Sequence, residues 1–194
     1  MKNPLILSVL LALSGPTLAV AGSLADAATK AEQMAASGDA TGARTLMRTA
    51  LSDFSASLPF AIGKAVFVSA EPTGYEMYQP RETKPFAIGE QLVSYVEPVG
   101  LTWKPAAAGA GKMETHFTVD FDILDPKGQV LAGQKGFGDF TFAGFARNQE
   151  IFATLTLDLS GATAGDYVLR YHFNDLHGSR QASVDLPFTI AVKP

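Results

Sequence analysis

Three histidines, at positions 116, 172 and 177, are the side chains of this sequence best suited to moving a proton or ligating a metal. His172 stands three residues before Asp175, a pairing that could activate a serine nucleophile. Yet no serine sits in a Gly-x-Ser-x-Gly elbow, and there is no cysteine to replace it, so hydrolase chemistry is poorly supported. His172 and His177 flank what reads as the last hairpin, and Met113 precedes His116 by three positions. Histidine and thioether together would suit Cu(I), and histidine with carboxylates would suit zinc. A Met-x-x-His spacing on a strand, however, sends the two side chains to opposite faces. Asp120, Asp122 and Asp125 could offer oxygen ligands to Ca²⁺. The simpler account is a polar strand face followed by an aspartate chosen for a turn. There is no glycine-rich phosphate loop, and spacing alone specifies no carboxylate pair for glycoside hydrolysis. The chain is therefore expected to be non-catalytic, with no cofactor and no metal.

Two aromatic clusters carry the remaining binding chemistry. Tyr75, Tyr78 and Arg81 share a proline-flanked loop, and Trp103 is the sole tryptophan. Tyr, Trp and Arg are the residue types that dominate binding hot spots, and loops on a rigid scaffold are where such sites form. An equal alternative is that the tyrosines lay this loop against the edge of the domain. Phe137, Phe140, Phe142 and Phe145 crowd a second segment. Phe137 and Phe140 have opposite parity, so a single regular strand cannot bury both. Either a bulge bends the segment and buries all four, or the segment exposes an apolar patch for a partner or lipid. All eight residues stand as candidate ligand-binding positions.

The elements that hold these residues begin after an export signal. Lys2, the apolar run Leu5 to Leu13, the break at Gly15-Pro16 and the small-x-small sequence Ala19-Val20-Ala21 read as a secretory signal peptide over 1–21, cleaved after Ala21. The run is about nine residues, short of the ~20 that a membrane-spanning helix needs. With no cysteine there is neither a disulfide nor a lipid-bearing residue, so the exported chain must rely on an apolar core. About 170 residues remain, enough for one domain and a small appendage. The composition is globular, 47% hydrophobic and 18% charged. Loss of Lys2 takes the net charge from −4 to −5, with no basic block to attract nucleic acid or anionic lipid.

Residues 22–60 read as a helical hairpin. Leu24, Ala27, Ala28, Ala31, Met34 and Ala35 recur at helical spacing, with Ser23 and Asp26 as a capping box and Gly38 as a stop. Ala43, Leu46, Met47, Ala50, Leu51, Phe54 and Leu58 form the second stripe, ended by Pro59. From 61 to 194 the period changes to two, with turn residues at regular intervals, the signature of a β-sandwich. Strands are expected over 65–70, 86–97 with a continuation at 99–103, 114–124, 129–132, 151–159, 167–173 and 181–192. Asp125-Pro126-Lys127-Gly128 is a strong turn. Gly165-Asp166-Tyr167 followed by Leu169 matches the corner tyrosine of immunoglobulin-like domains, whose hydroxyl bonds back to the backbone. The fold class is mainly β, an Ig-like β-sandwich of seven to nine strands with an N-terminal α-helical hairpin.

The segments Pro72-Thr73-Gly74-Tyr75, Tyr78-Gln79-Pro80-Arg81, Phe86-Ala87-Ile88-Gly89-Glu90 and Tyr95-Val96-Glu97-Pro98-Val99-Gly100, with Leu131-Ala132-Gly133-Gln134 and Gly165-Asp166-Tyr167-Val168-Leu169, carry a resemblance. Together with the helical pair they resemble uncharacterised exported proteins of Gram-negative bacteria. The resemblance implies a periplasmic or secreted location and brings no activity and no functional residue. The expectation is a non-catalytic periplasmic binding or structural module that meets a protein partner or envelope component. The alternatives are a carrier of a small apolar ligand held between helices and sandwich, near Phe54, Phe60 and the phenylalanine-rich segment, and a metal-handling protein using His172, His177 and Met113.

Overall fold

The computed structural model describes residues 19–82, 85–107, 109 and 111–191, so most of the expected signal peptide and the end of the expected closing strand at Val192 lie outside the described residues. The chain divides into two compact units, Met1–Ala50 and Leu51–Pro194. Helix α1 spans Ala19–Ala36 and helix α2 spans Ala40–Ser57, so the last turns of α2 belong to the second unit. Gly38, at φ 91°, stops α1. The Asp39 amide donates to the Met34 carbonyl at 2.9 Å and the Gly38 amide to Ala35 at 3.0 Å, the paired bonds of a Schellman cap. Asp39 then caps α2, its Oδ1 accepting the Gly42 amide at 2.8 Å. Ser23 lies a turn inside α1, so the expected capping box does not set where that helix begins.

The second unit is mainly β. Its strands among the described residues are β1 (Ala61–Val68), β2 (Phe86–Ala87), β3 (Gln91–Val99), β4 (Lys104–Pro105), β5 (Met113–Leu124), β6 (Val130–Gly144), β7 (Ala153–Asp158), β8 (Gly165–Asp175) and β9 (Arg180–Ala191). One sheet has the order β1-β3-β7; the other runs β2-β9-β8-β5-β4, with β6 also paired to β5. Alternate residues of both sheets point into one core. Leu92 and Val96 of β3 and Leu155 and Leu157 of β7 join Phe117 and Val119 of β5, Leu169, Tyr171 and Phe173 of β8, and Phe188 and Ile190 of β9. A polar tie crosses this core, with the Tyr171 and Ser94 hydroxyls 3.2 Å apart. Among the described residues, no helix is long and apolar enough to cross a membrane.

Three expectations change. The strand expected over 86–97 breaks at Gly89, at φ 77°. Its first part, β2, runs parallel to β9, and its second part, β3, runs antiparallel to β1, so the chain switches sheets at this glycine. No strand continues through 99–103, because β3 ends at Val99 and Gly100 turns the chain at φ 71°. The short return expected over 129–132 is the start of β6, which runs on to Gly144 and takes in most of the phenylalanine-rich segment.

The turn after β5 is as the sequence predicts. Gly128 donates to the Asp125 carbonyl at 3.0 Å, and Asp125 Oδ1 accepts the Lys127 and Gln129 amides at 2.8 Å each. The corner is also as predicted. The Tyr167 hydroxyl donates to the Thr163 carbonyl at 3.0 Å, and Leu169 is fully buried.

Candidate functional site

The edge where β1 and β9 approach each other is left partly open. Beyond β1, the chain turns back and briefly pairs with it: Ser69 donates to the Gln79 carbonyl at 3.0 Å and Arg81 to the Phe67 carbonyl at 2.9 Å. It then joins the other sheet, where Phe86 pairs with Ile190 and Ala87 with Ala191. On that side, β2 borders only the last residues of β9. Pro187 lies in the stretch of β9 that β2 leaves uncovered, where the missing amide proton of a proline costs no ladder bond.

A cavity of about 520 Å³ fills this cleft, and its walls include Ala65, Phe67, Phe86, Leu186, Pro187 and Phe188. Three of the rings meet edge to face. Phe67 lies 5.2 Å from Phe86 and 6.1 Å from Phe188, and Phe86 lies 6.1 Å from Phe188. Among the described residues, Arg81 is the cationic group in the wall. Its guanidinium carbon sits 4.0 Å from the centre of the Phe86 ring, and Nη1 is 2.6 Å from Glu90 Oε1. Glu90 is itself fixed, its Oε2 accepting the Ala87 amide at 2.8 Å. Arg81 Nε is buried and has no hydrogen-bond partner among the described residues.

Of the eight candidate residues, Arg81 alone lines this cleft. Tyr78 stacks on the buried ring of Tyr95 at 4.3 Å, and Tyr95 stacks in turn on Phe152 at 5.2 Å. Tyr75 donates to Glu97 Oε2 at 3.3 Å, and the Glu76 amide donates to the Tyr95 hydroxyl at 2.8 Å. These contacts lay the loop against the sandwich, one of the two readings open from the sequence. Lys64 completes the cluster, 3.6 Å from Glu97 and 3.4 Å from Glu76. Burial works to lower the Lys64 pKa, but hydrogen bonds to Tyr78 and Glu76 and the Glu97 charge outweigh it and raise it. Burial, and then Glu97, push the Tyr75 hydroxyl up. Tyr75 also meets Trp103 in the wall of a smaller cavity of about 190 Å³.

The phenylalanine-rich segment divides. Phe137, Phe140 and Phe142 pack against the core, while Phe145, beyond the end of β6, is 79% exposed with the Lys112 ammonium 5.5 Å from its ring. Parity is resolved by a bulge. Between the pairs Val119–Gly138 and Phe121–Gln134, two steps along β5 match four along β6. Gly136 sits there at φ 61°, and Asp120 Oδ1 accepts its amide at 2.7 Å. Burial works to raise the Asp120 pKa, but the bonds from Gly136, Lys135 and Asn174 prevail and lower it. Asp120 is therefore the fastener of the bulge. Phe54 is 36% exposed and Phe60 belongs to the core, and neither is among the residues that line the β1–β9 cleft.

Each histidine lies beside a carboxylate. His172 faces outward and Asp175 inward, so the two do not pair. His172 Nε2 lies 3.0 Å from Asp122 Oδ2, and Nδ1 lies 2.8 Å from Ser183 Oγ. This Asp–His–Ser line crosses β5, β8 and β9. The arrangement is a polar cross-strand ladder. His116 Nε2 lies 2.8 Å from Asp139, and His177 lies 3.4 Å from Glu114. The His116 and His177 rings are 6.3 Å apart. Among the described residues no group of three or more His, Asp or Glu is arranged to hold a metal ion.

The cleft walls at Phe67, Phe86, Leu186 and Phe188 escape sequence reading because each also reads as an ordinary core residue. The usable signal was Pro187: a proline within a strand pattern marks an edge.

No family model matches the sequence, and no curated protein matches it. Among solved structures, the chain is similar to a Niemann-Pick type C2 protein from Japanese carpenter ant, at 11% identity and a TM-score of 0.35, over 70% of this chain and 95% of that one, a likeness too slight to bear on fold or ligand.

Proposed function

We propose that this protein is an exported, non-catalytic binding module that holds a small apolar molecule in the cleft between β1 and β9. The observation that carries the reading is the cavity of about 520 Å³ walled by three phenylalanines, with Arg81, Glu82 and Thr189 as the polar side chains of its lining among the described residues. Small-molecule sites are typically clefts of roughly 300–1,000 Å³, mostly apolar, with a few placed polar groups. The scaffold reads as Ig-like. The order β1-β3-β7 corresponds to strands A-B-E and β6-β5-β8-β9 to C′-C-F-G, with Tyr167 at the corner before F and the helical hairpin N-terminal to it. Export rests on the leader-like N-terminus; cleavage after Ala21 would remove Ala19 to Ala21 from the start of α1.

The test uses N-phenyl-1-naphthylamine, a neutral probe whose emission rises when it leaves water. Titration should give a saturable rise with one site per chain. Pro187→Trp, an exposed position that gains bulk in the cleft wall, should weaken it at least tenfold with an unchanged melting temperature. A linear, non-saturating rise, or a Pro187→Trp protein that binds like wild type, overturns the reading. A second reading, recognition of a protein or envelope component by the Tyr75–Arg81 loop, is favoured by one observation: Met77, at the tip of that loop, is 62% exposed. Cross-linking from a photoreactive residue at 77 in the periplasm tests it, and no adduct beyond background would overturn it.

A further inference from the structure

Strand β6 is 15 residues long, and among the described residues it pairs with β5 and has no strand on its other side. A free strand edge is a template for another chain, and the other edges of both sheets are short or covered. Strands β2 and β4 have two residues each, β7 has six, and the 79–81 segment pairs with β1. The first half of β6 is guarded by the bulge at Gly136 and by Lys135, whose side chain is 81% exposed. Beyond the bulge, residues 138–144 contain no lysine and no proline.

The ladder shows which backbone groups this half leaves free. The His116 carbonyl accepts the Leu176 amide at 3.0 Å, so His116 turns its backbone groups toward the β8 side and Phe117 turns its own toward β6, where it pairs with Phe140. Backbone groups alternate in direction along a strand, so Asp139, Thr141 and Ala143 present their amides and carbonyls away from β5. The side chains of all three are exposed, while those of Phe140 and Phe142 are half-buried. The segment also reads almost alike in both directions about Thr141: Gly138, Asp139, Phe140, Thr141, Phe142, Ala143, Gly144. Two copies paired antiparallel about a two-fold axis at Thr141 would set glycine opposite glycine and Phe140 opposite Phe142 of the second copy. Those phenylalanines fall in the pairs where side chains come closest. Asp139, the one charge of the segment, would meet Ala143 of the second copy and not its own counterpart. This self-complementarity is that of an isologous interface, and it favours a second copy over an unrelated strand.

We propose that this protein forms a dimer in which residues 138–144 of two copies pair antiparallel about Thr141, joining the two larger sheets into one. The proposal is independent of the cleft between β1 and β9.

Sedimentation equilibrium of the full-length protein tests it, and wild type should show a reversible monomer–dimer equilibrium. Thr141→Lys and Thr141→Glu change an exposed side chain, and circular dichroism matching wild type would show that both fold. Each should weaken self-association at least about tenfold, because like charges then face each other on the two-fold axis. Mixing the two variants should restore a one-to-one mixed dimer. A wild type that stays monomeric overturns the inference. So does a dimer that both substitutions leave intact, which would place the contact elsewhere. A dimer that Thr141→Lys tightens also overturns it, in favour of a register centred on Phe140 in which residue 141 faces Asp139 of the second copy.

Discussion

Asp175 and Arg180 close the β8–β9 hairpin across its base, with Arg180 Nη2 donating to Asp175 Oδ2 at 2.8 Å and Nε at 3.2 Å. The carboxylate is buried and also accepts the Thr102 hydroxyl at 2.7 Å, the Thr102 amide at 3.1 Å and the Gly178 amide at 3.0 Å. Arg180 in turn donates to the carbonyls of Gly100 and Leu58. The pair thus fixes the loop after β3 and the end of the α2 segment to the hairpin. Arg180→Met strands a buried carboxylate and should cost about 3–4 kcal/mol, reduced by the third of the arginine that water reaches. Asp175→Asn keeps the shape and some acceptors and should cost about 1–3 kcal/mol. Urea midpoints give both values, and the double variant should cost less than their sum.

The same carboxylate sets a pH dependence. Burial works to raise the Asp175 pKa, but the bonds from Thr102, Arg180 and Gly178 outweigh it and hold the group below the usual range. Asp120 is lowered too, and Asp185 is lowered chiefly by its hydrogen bond to Arg170. A carboxylate lowered in the folded state adds stability that is complete above its unfolded pKa, about 4, and is lost as the pH falls through the folded value. Urea stability should therefore be flat, as far as these groups go, above about pH 5 and decline below about pH 4. Asp175→Asn should flatten that decline. Asp185→Asn should alter it little, because the Arg170–Asp185 pair lies at the surface with both side chains more than a third exposed.

What could be read in the sequence was whatever a short segment decides for itself. The Asp125–Gly128 turn, the Gly38 stop and the Tyr167 corner each depend on residues a few positions apart, and each forms as their chemistry dictates. Alternation likewise placed β5 and β8. Sheet membership is a different matter, since Phe86 to Glu97 alternates smoothly while the chain changes partner at Gly89. The cleft is a property of that switch. Only when β2 joins β9 and the 79–81 segment joins β1 do Phe67, Phe86 and Phe188 face the same space. Histidine partners are cross-strand relations of the same kind: His172 meets Asp122, fifty positions away, instead of the nearby Asp175.

The four phenylalanines between 137 and 145 should separate sharply under alanine substitution. Phe140 stacks on Phe117 at 5.2 Å, Phe142 lies 6.1 Å from the same ring, and Phe137 meets Phe121 edge to face at 4.8 Å. Truncating any of the three opens a cavity and should cost about 2–4 kcal/mol, somewhat less than a fully buried ring because each is partly exposed. Phe145→Ala should stay within about 0.5 kcal/mol of wild type. A large loss at Phe145 in thermal or urea unfolding would mean that the ring is covered in solution, by a second copy or another part of the chain.

The corner offers a test of whether its hydrogen bond or its packing holds the β7–β8 connection. Tyr167 stacks on Phe188 at 5.5 Å, so the ring has a packing role independent of its hydroxyl. Tyr167→Phe keeps the ring and leaves the Thr163 carbonyl without its donor, which should cost about 1 kcal/mol. The Thr163 hydroxyl also lies 3.1 Å from the tyrosine oxygen, but the corner bond is accepted by the backbone carbonyl, which Thr163→Ala retains. Thr163→Ala should therefore cost less than Tyr167→Phe, and the two losses should not add, because both act through one oxygen. Urea unfolding with an unchanged m-value would report the difference as native-state stability. Equal losses in the two single variants would show that the side-chain contact, and not the backbone bond, closes the corner.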